Sequence, residues 1–269
     1  MRQATEWSSP AAMTIEACAA LVERGDPDRF LSVMAAPVWA RRVLLPLYAF
    51  NLEVARAPWL TSEPMIAEMR LQWWRDVLDE IAGPGEVRHH EVATVLGEIL
   101  DPAGAGILHD LIDARHWDIV PGGFSSEDSF AEHLDRTSGT LMWVAARALG
   151  ADATGAEAVI RGFAWGQGLA AWFQAIPALE AAGCQPLIDG RPGAVQLLAR
   201  EGLRRIRLAR RSRHAVPAVA GPALLAGWRA AALLRQVARD PMAVAEGRLG
   251  LSEFRRRGTL LCRAATGRW

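Results

Sequence analysis

Helix-start and helix-stop signals recur along nearly the whole chain, while strand-type alternation of apolar and polar residues is almost absent. Asp26-Pro27 supplies a capping carboxylate and a proline whose missing N–H costs nothing in a first turn, which predicts a helix over 28–35. Pro37 restarts a helix with an apolar face of Val43, Leu44, Leu47, Phe50 and Val54. Ser62-Glu63-Pro64 opens the next, in which Met65, Met69, Trp73 and Val77 recur four apart before Gly83-Pro84 stops it. Further helices are predicted over 90–100, 105–118, 127–149, 154–181, 192–213, 222–239 and 253–265, with Ser126 capping the third of these. Connections are short and punctuated by Gly and Pro, and neither a linker nor an internal repeat divides the chain. The expected architecture is an all-α, single-domain helical bundle over 26–269, preceded by an N-terminal extension, 1–25, with a short helix.

Composition bounds the function classes. Of 269 residues, 51% are hydrophobic and 22% charged, enough for a sizeable core. The 30 basic residues, all Arg, cancel the 30 acidic ones, so no nucleic-acid partner is expected. Cys18, Cys184 and Cys262 have no metal-type spacing and read as buried, inert thiols of a reducing compartment. The first 25 residues lack a signal-type apolar run, and the longest apolar stretch, Val216–Trp228, is interrupted by Pro217 and Pro222. It falls short of the ~20 residues of a spanning helix. The expected location is cytoplasmic, at most peripheral on the inner face of a membrane. Nucleophilic and nucleotide chemistry find no support: Ser138 in Thr137-Ser138-Gly139 sits inside a predicted helix, and no phosphate-cradling glycine loop occurs.

Two strings carry the sharpest signal: Leu47–Trp59, read LYAFNLEVARAPW, and Met69-Arg70-Leu71-Gln72-Trp73-Trp74-Arg75. Their frame resembles the squalene/phytoene synthase family, whose helices read Y-A-F-C-R-x-x-D-D-x-x-D and R-L-x-W-W-R. The resemblance implies the isoprenoid (terpenoid) synthase fold with a central cavity. In active members, aspartates four residues apart share Mg²⁺ ions that bind a prenyl diphosphate, since i and i+4 carboxylates project from one helical face. Here those positions are Ala55 and Trp59, and the family arginine is Leu52. The second motif, G-x-A-x-Q-L-x-N-x-x-R-D-x-x-x-D, aligns with 164–179. Its glutamine, asparagine and arginine become Gly168, Ala171 and Gln174, and its aspartates Ala175 and Leu179. A metal clamp stabilises leaving-group charge by several kcal/mol, with about tenfold in rate for each ~1.4 kcal/mol, so loss of both pairs implies loss of that catalysis. The retained frame with lost aspartates, together with Asn51-Leu52-Glu53 and Gln167-Gly168, is similar to a subgroup that helps assemble respiratory complex I (NADH:ubiquinone oxidoreductase).

That resemblance implies respiratory complex subunits as partners, no metal, and no cofactor. Tyr48, Leu52, Trp73, Gly168 and Ala171 are the expected lining of a retained tail pocket, apolar at its former diphosphate end and able to take an isoprenoid or quinone lipid. Arg204, Arg205, Arg207 and Arg211 flank a narrow stripe of Ala199, Leu203 and Ile206. They form either a solvated helix face or a surface for anionic membrane or an acidic partner. Two acidic sets have ligand-like helical spacing, Asp76/Asp79/Glu80 and His109/Asp113/His116/Asp118, and are expected to be ordinary surface pairs. The alternative is an active head-to-head prenyltransferase with a rearranged Mg²⁺ site; a lipid carrier without an assembly role is a third reading.

Overall fold

A computed structural model describes residues 10–119, 122–152 and 154–269; residues 1–9 of the expected extension lie outside the described residues. Helix α1 (Pro10–Gly25) buries Cys18 and Val22 against α3 (Val38–Arg56). Between them α2 (Pro27–Met34) starts where expected, the Asp26 side chain accepting from Arg29 N at 2.9 Å. Leu44, Leu47, Phe50 and Val54 of α3 are fully buried, each contributing about 1.5–3 kcal/mol by leaving water. Helix α4 (Pro64–Ala82) corrects the first half of the predicted stripe: Met65 and Met69 are 74% and 66% exposed, whereas Trp73 is half-buried and Val77 fully buried, beside Ala67, Leu71, Trp74, Leu78 and Ile81. A strict four-residue repeat drifts by roughly 40° per step against a 3.6-residue turn, so it starts on the outer face at Met65 and comes round to the core only at Val77.

Helix α5 (Ala93–Ile99) begins after His90, whose Nδ1 accepts from Val92 N at 3.2 Å. Asp101 caps α6 (Pro102–Ala114), which runs into a 3₁₀ turn, Arg115–Asp118. The helix predicted over 127–149 is three pieces: α7 (Glu127–Leu134), a π-helical turn Asp135–Gly139, and α8 (Thr140–Ala148). Such wide turns re-aim side chains and are frequent at functional sites. Helix α9 (Ala156–Ala181) is central, packing on α8, on α10 (Pro192–Arg211) and on α12 (Ala230–Arg239). The segment before α12 is also broken, into α11 (Gly221–Leu224) and a 3₁₀ turn Leu225–Gly227. Gly227 presses on Phe163, where a Cβ would stand 2.5 Å from the ring, so the chain detours around that ring. Two further helices, α13 (Met242–Ala245) and α14 (Glu253–Thr266), close the bundle.

The described residues contain no β-strand, only an isolated bridge between Gly123 and Gln185, and the all-α expectation holds. No described helix is long and apolar enough to cross a membrane. The cysteines are not uniformly buried as expected. Burial pushes the Cys18 thiol up to about 12, but Cys184 is half-buried and Cys262 exposed, because residue 262 falls on the outer face of α14.

Candidate functional site

A cavity of about 340 Å³ opens between α3, α9 and α12, with the 3₁₀ turn after α6 and the π-helical turn along one side. Ala55 and Trp59 reach it from the first motif and Ala175 and Leu179 from the second, so positions about 120 residues apart meet on one hollow. Methyl, indole and isobutyl groups offer no oxygen donor to a hard cation such as Mg²⁺. Gly168 and Ala171 also line the hollow.

Tyr48, Leu52 and Trp73 do not, which corrects their expected placement. Tyr48 is buried with its hydroxyl 3.5 Å from the Ala223 carbonyl and the Arg29 guanidinium 5.0 Å from its ring centre. Burial pushes that phenol up to about 12. Leu52 packs on the end of α1, where a Cβ on Gly25 would sit 2.9 Å from its Cδ1. One residue is about 100° of helix rotation, so Leu52 turns toward α1 while Asn51 and Ala55 face the cavity. Trp73 lies edge-on to Trp74 and His90, under the Arg88 guanidinium.

The cavity is not the apolar chamber expected. Arg29, Arg115 and Arg229 line it together with Asp26, Asp28 and Asp118. Each acid is matched to an arginine: Asp26 to Arg29 at 3.3 Å, Asp118 to Arg115 at 3.4 Å, and Asp28 to both Arg229 and Arg256. Gln174, at the family's arginine position, accepts from Arg229 at 3.0 Å and donates to the Leu249 carbonyl at 3.3 Å. The acids are thus each ion-paired in place, Asp26 and Asp28 at the start of α2 and Asp118 on the turn after α6, unlike a converging i, i+4 dicarboxylate clamp. Among the described residues no group of three or more His, Cys, Asp or Glu is close enough to hold a metal ion.

One wall was not foreseen. His133, buried, and Trp172 line it with their rings 5.2 Å apart, and behind them Phe124 and Trp117, 5.3 and 5.8 Å from the His133 ring, stack on each other at 4.7 Å without reaching the cavity. Burial first, then the neighbouring Arg115, pushes the imidazole down to about 3, so it is neutral at physiological pH. His133 Nε2 and Arg115 Nε are buried without a hydrogen-bond partner, and both residues line the cavity. A neutral donor or acceptor and a guanidinium edge beside an aromatic wall suit a ligand with a ring and a carbonyl or hydroxyl oxygen. These residues come from the turn after α6, from the loop that follows it, from α7 and from α9, so no sequence spacing could have grouped them.

Gly168 explains why the second motif cannot simply regain its glutamine. A Cβ there would lie 2.4 Å from Ser138 Oγ and 2.7 Å from its Cβ, on the π-helical turn. Gly168→Gln is therefore expected to destabilise the fold by about 1–3 kcal/mol through overpacking. Gly162→Ala, on the same helix with nothing within 4 Å of the added Cβ, is expected to raise the melting temperature. Paired thermal melts check both signs.

The acidic sets are engaged at the surface except for Asp118, which corrects the expectation: its side chain is buried on the cavity wall against Arg115, and burial pushes its carboxyl up. Glu80 chelates Arg88 at 2.6–3.0 Å, Asp79 lies 3.2 Å from His109, Asp113 3.1 Å from Arg75, and His116 3.3 Å from Glu68. On α10, Arg204 and Arg205 both hold Glu201, at 2.6 and 2.9 Å, and Arg205 also covers the Trp165 ring at 4.1 Å. Their hydrogen bonds pull the Glu201 carboxyl down to about 2. Arg207 and Arg211 are exposed on that helix. Ile206 meets α9 at Gly166, where a Cβ would sit 2.6 Å away, and Ala199 is buried while Leu203 is half-buried.

Comparison with known proteins follows the same lines. The family model described as squalene/phytoene synthase matches residues 22–187, a span that includes all four vacated aspartate positions. The chain is 30% identical over 179 residues to the NADH dehydrogenase (ubiquinone) complex I, assembly factor 6 homolog of Drosophila melanogaster, covering 63% of this chain and 53% of that protein. It is 24% identical over 162 residues to the Mus musculus complex I assembly factor 6, covering 60% and 48%. The chain therefore spans about half the length of the curated relatives it matches. A solved dehydrosqualene synthase in complex with ligand superposes with a TM-score of 0.74 over 95% of this chain and 96% of that one, at 12% identity. The bundle is thus of the isoprenoid synthase type.

Proposed function

The chain belongs to the squalene/phytoene synthase family, and from that premise we propose that it serves as an assembly or maturation factor for respiratory complex I, not as a prenyl transferase. The observation that carries this reading is the meeting of Ala55, Trp59, Ala175 and Leu179 on one cavity. A diphosphate leaving group needs concentrated positive charge, and the family supplies it through cations on those four positions. In this cavity three arginines already face three aspartates, so an entering diphosphate finds little uncompensated charge. The relatives' names support the assembly role, and respiratory complex subunits are the proposed partners.

No metal or other cofactor is required for this role. Within the cavity we assign the aromatic wall and the unpartnered His133 Nε2 to an isoprenoid or quinone lipid. Arg207 and Arg211, with the Glu201-bound Arg204 and Arg205, form the proposed face toward a partner or an anionic membrane surface, on a protein that works in the cytoplasm against the inner face of the membrane. Fold alone does not fix function, so the test is chemical and genetic. Incubation with farnesyl or geranylgeranyl diphosphate and Mg²⁺ is expected to yield no coupled hydrocarbon. Deletion of the gene is expected to lower NADH:quinone activity and leave carotenoid and hopanoid content unchanged. Coupled product that disappears in Asp76→Ala or Asp113→Ala, or normal respiration with lost terpenoid, overturns the reading in favour of a transferase.

A further inference from the structure

A second hollow, of about 670 Å³, lies apart from the central cavity, between the start of α3, the segment 213–225 and the last turn of α14. Its ionisable side chains are of one sign, Arg210, Arg213, His214, Arg263 and Arg268, with no Asp or Glu among the lining residues, and the one anion among them is the main-chain carboxylate of Trp269. In a chain whose 30 acids balance its 30 arginines, many of them paired, such a concentration recurs only at the adjoining hollow lined by Arg200, Arg207, Arg210 and Arg235 among the described residues, and that one has no aromatic wall. The charged side chains that act on Arg210 are Arg263 and Arg235, and those on Arg263 are Arg235 and Arg268, all of like sign. Burial and that repulsion push the Arg210 guanidinium down to about 10.

The geometry holds these groups together despite the repulsion. Arg210 Nε and Arg263 Nη1 both donate to the main-chain carboxylate of Trp269, at 2.7 and 2.9 Å, which sets the two guanidiniums side by side on one counter-charge and leaves Arg213 and Arg268 without one among the described residues. Arg210 Nη2 remains buried without a hydrogen-bond partner. The rest of the wall is apolar, formed by Trp39, Val216, Leu225 and the Trp269 ring, and Met34, Val38, Trp39 and Val219 are exposed on or beside its rim.

We propose that this groove binds a phosphate-headed amphiphile, with the phosphate among Arg210, Arg213, Arg263 and Arg268 and the apolar tail along Trp39, Val216 and Leu225. A phosphate offers several acceptor oxygens to guanidinium forks and satisfies more than one arginine at once. Free inorganic phosphate leaves the apolar wall against water, and an acidic peptide sets a polar backbone against it; only a ligand with both parts matches both surfaces.

Soluble dihexanoyl phosphatidic acid, titrated calorimetrically into the full chain, is expected to bind. Arg213→Glu/Arg268→Glu, two exposed positions whose reversal leaves the core untouched, is expected to bind it at least about tenfold more weakly. Arg24→Glu/Arg255→Glu, an equal charge change at two exposed positions outside both the groove and the α10 face, is expected to bind normally. Circular dichroism establishes that both variants are folded. Pelleting with vesicles of phosphatidylglycerol in phosphatidylcholine separates the sources. Pelleting lost in the groove variant assigns a bilayer headgroup, and binding of the soluble lipid alone assigns a monomeric amphiphile. The proposal is overturned if phosphatidic acid does not bind, if the groove variant binds it as tightly as the parent, or if dihexanoyl phosphatidylcholine, inorganic phosphate or oligoglutamate binds equally well.

Discussion

Acidification from pH 6.5 to 5 is expected to destabilise this protein by about 2 kcal/mol through His133 alone, and His133→Phe is expected to abolish that part of the loss. The imidazole is held neutral down to about pH 3 in the folded chain, against 6.5 for an unperturbed histidine. Below pH 6.5 the unfolded chain therefore takes up a proton that the folded chain refuses, and stability falls as pH falls through the window between the two values. Each pKa unit is worth about 1.4 kcal/mol, which makes the full contribution below pH 3 roughly 5 kcal/mol. The causes are structural: burial among Trp117, Phe124 and Trp172, then repulsion from Arg115 and Arg136, opposed by a hydrogen bond with the Ala114 backbone. The paired carboxylates titrate lower. Glu201, held at about 2 against an ordinary 4.5, adds stability that is lost only as pH drops through that lower range. Urea midpoints of parent and variant at pH 7, 6 and 5 separate the two contributions. Parallel curves for both proteins refute the assignment to His133.

How far such groups were readable in advance depended on whether their information lay within one helix. The Asp26 and Ser126 caps are local signals, and both stand at the helix starts they predict. Asp101-Pro102 is the same kind of signal as Asp26-Pro27 and caps α6. The start predicted at 105 is three residues late, since the cap at Asp101 carries the helix through Gly104 and Gly106 despite their low helix propensity. The register of the two motifs was equally local, and it suffices to bring Ala55, Trp59, Ala175 and Leu179 to one cavity. What could not be read was which face of each helix met which neighbour. Tyr48 shares α3 with Ala55, but its hydroxyl points to the Ala223 carbonyl, on a segment far away in the chain. Its direction is set by tertiary packing.

The same distinction accounts for the misjudged polarity of the central cavity. Asp28, Arg229 and Arg115 stand on separate elements and belong to no motif. An arginine in a sequence that balances acid and base has no visible partner until the fold supplies one. The π-helical turn at Asp135–Gly139 leaves no compositional mark either, yet it brings Thr137 and Ser138 to the cavity and forces the close approach at Gly168. Loss of the acidic pairs was therefore legible, whereas the arginine–aspartate pairs and aromatic wall that occupy the cavity were not.

Asp28→Ala is expected to lower stability by about 3 kcal/mol, and with it the melting temperature by roughly 6–12 °C. Asp28 accepts from Arg256 Nε at 2.6 Å and from Arg229, joining α2 to the start of α12 and to α14. The Asp28 and Arg229 side chains are each only 22% exposed. Burial already pulls the Arg229 guanidinium below its usual range, and Asp28 is the main influence opposing that shift. With Asp28 removed, Arg256 keeps Glu253 at 2.8 Å, while Arg229 keeps the neutral Gln174 and only the weaker influence of Asp26, with which it forms no ion pair. The expected loss is thus the penalty for a guanidinium left without its counter-charge, more than the value of the bond itself. Asp28→Leu/Arg229→Met removes both charges and is expected to recover most of the stability, because the side chains then exchange an ion pair for apolar packing. Asp189→Ala, which breaks the solvent-exposed pair with Arg191, is expected to leave the melt unchanged. Thermal melts of the three variants decide the matter: an Asp28→Ala protein as stable as its parent, or a double variant no better than the single, shows that Arg229 does not depend on Asp28 for its place at the cavity wall.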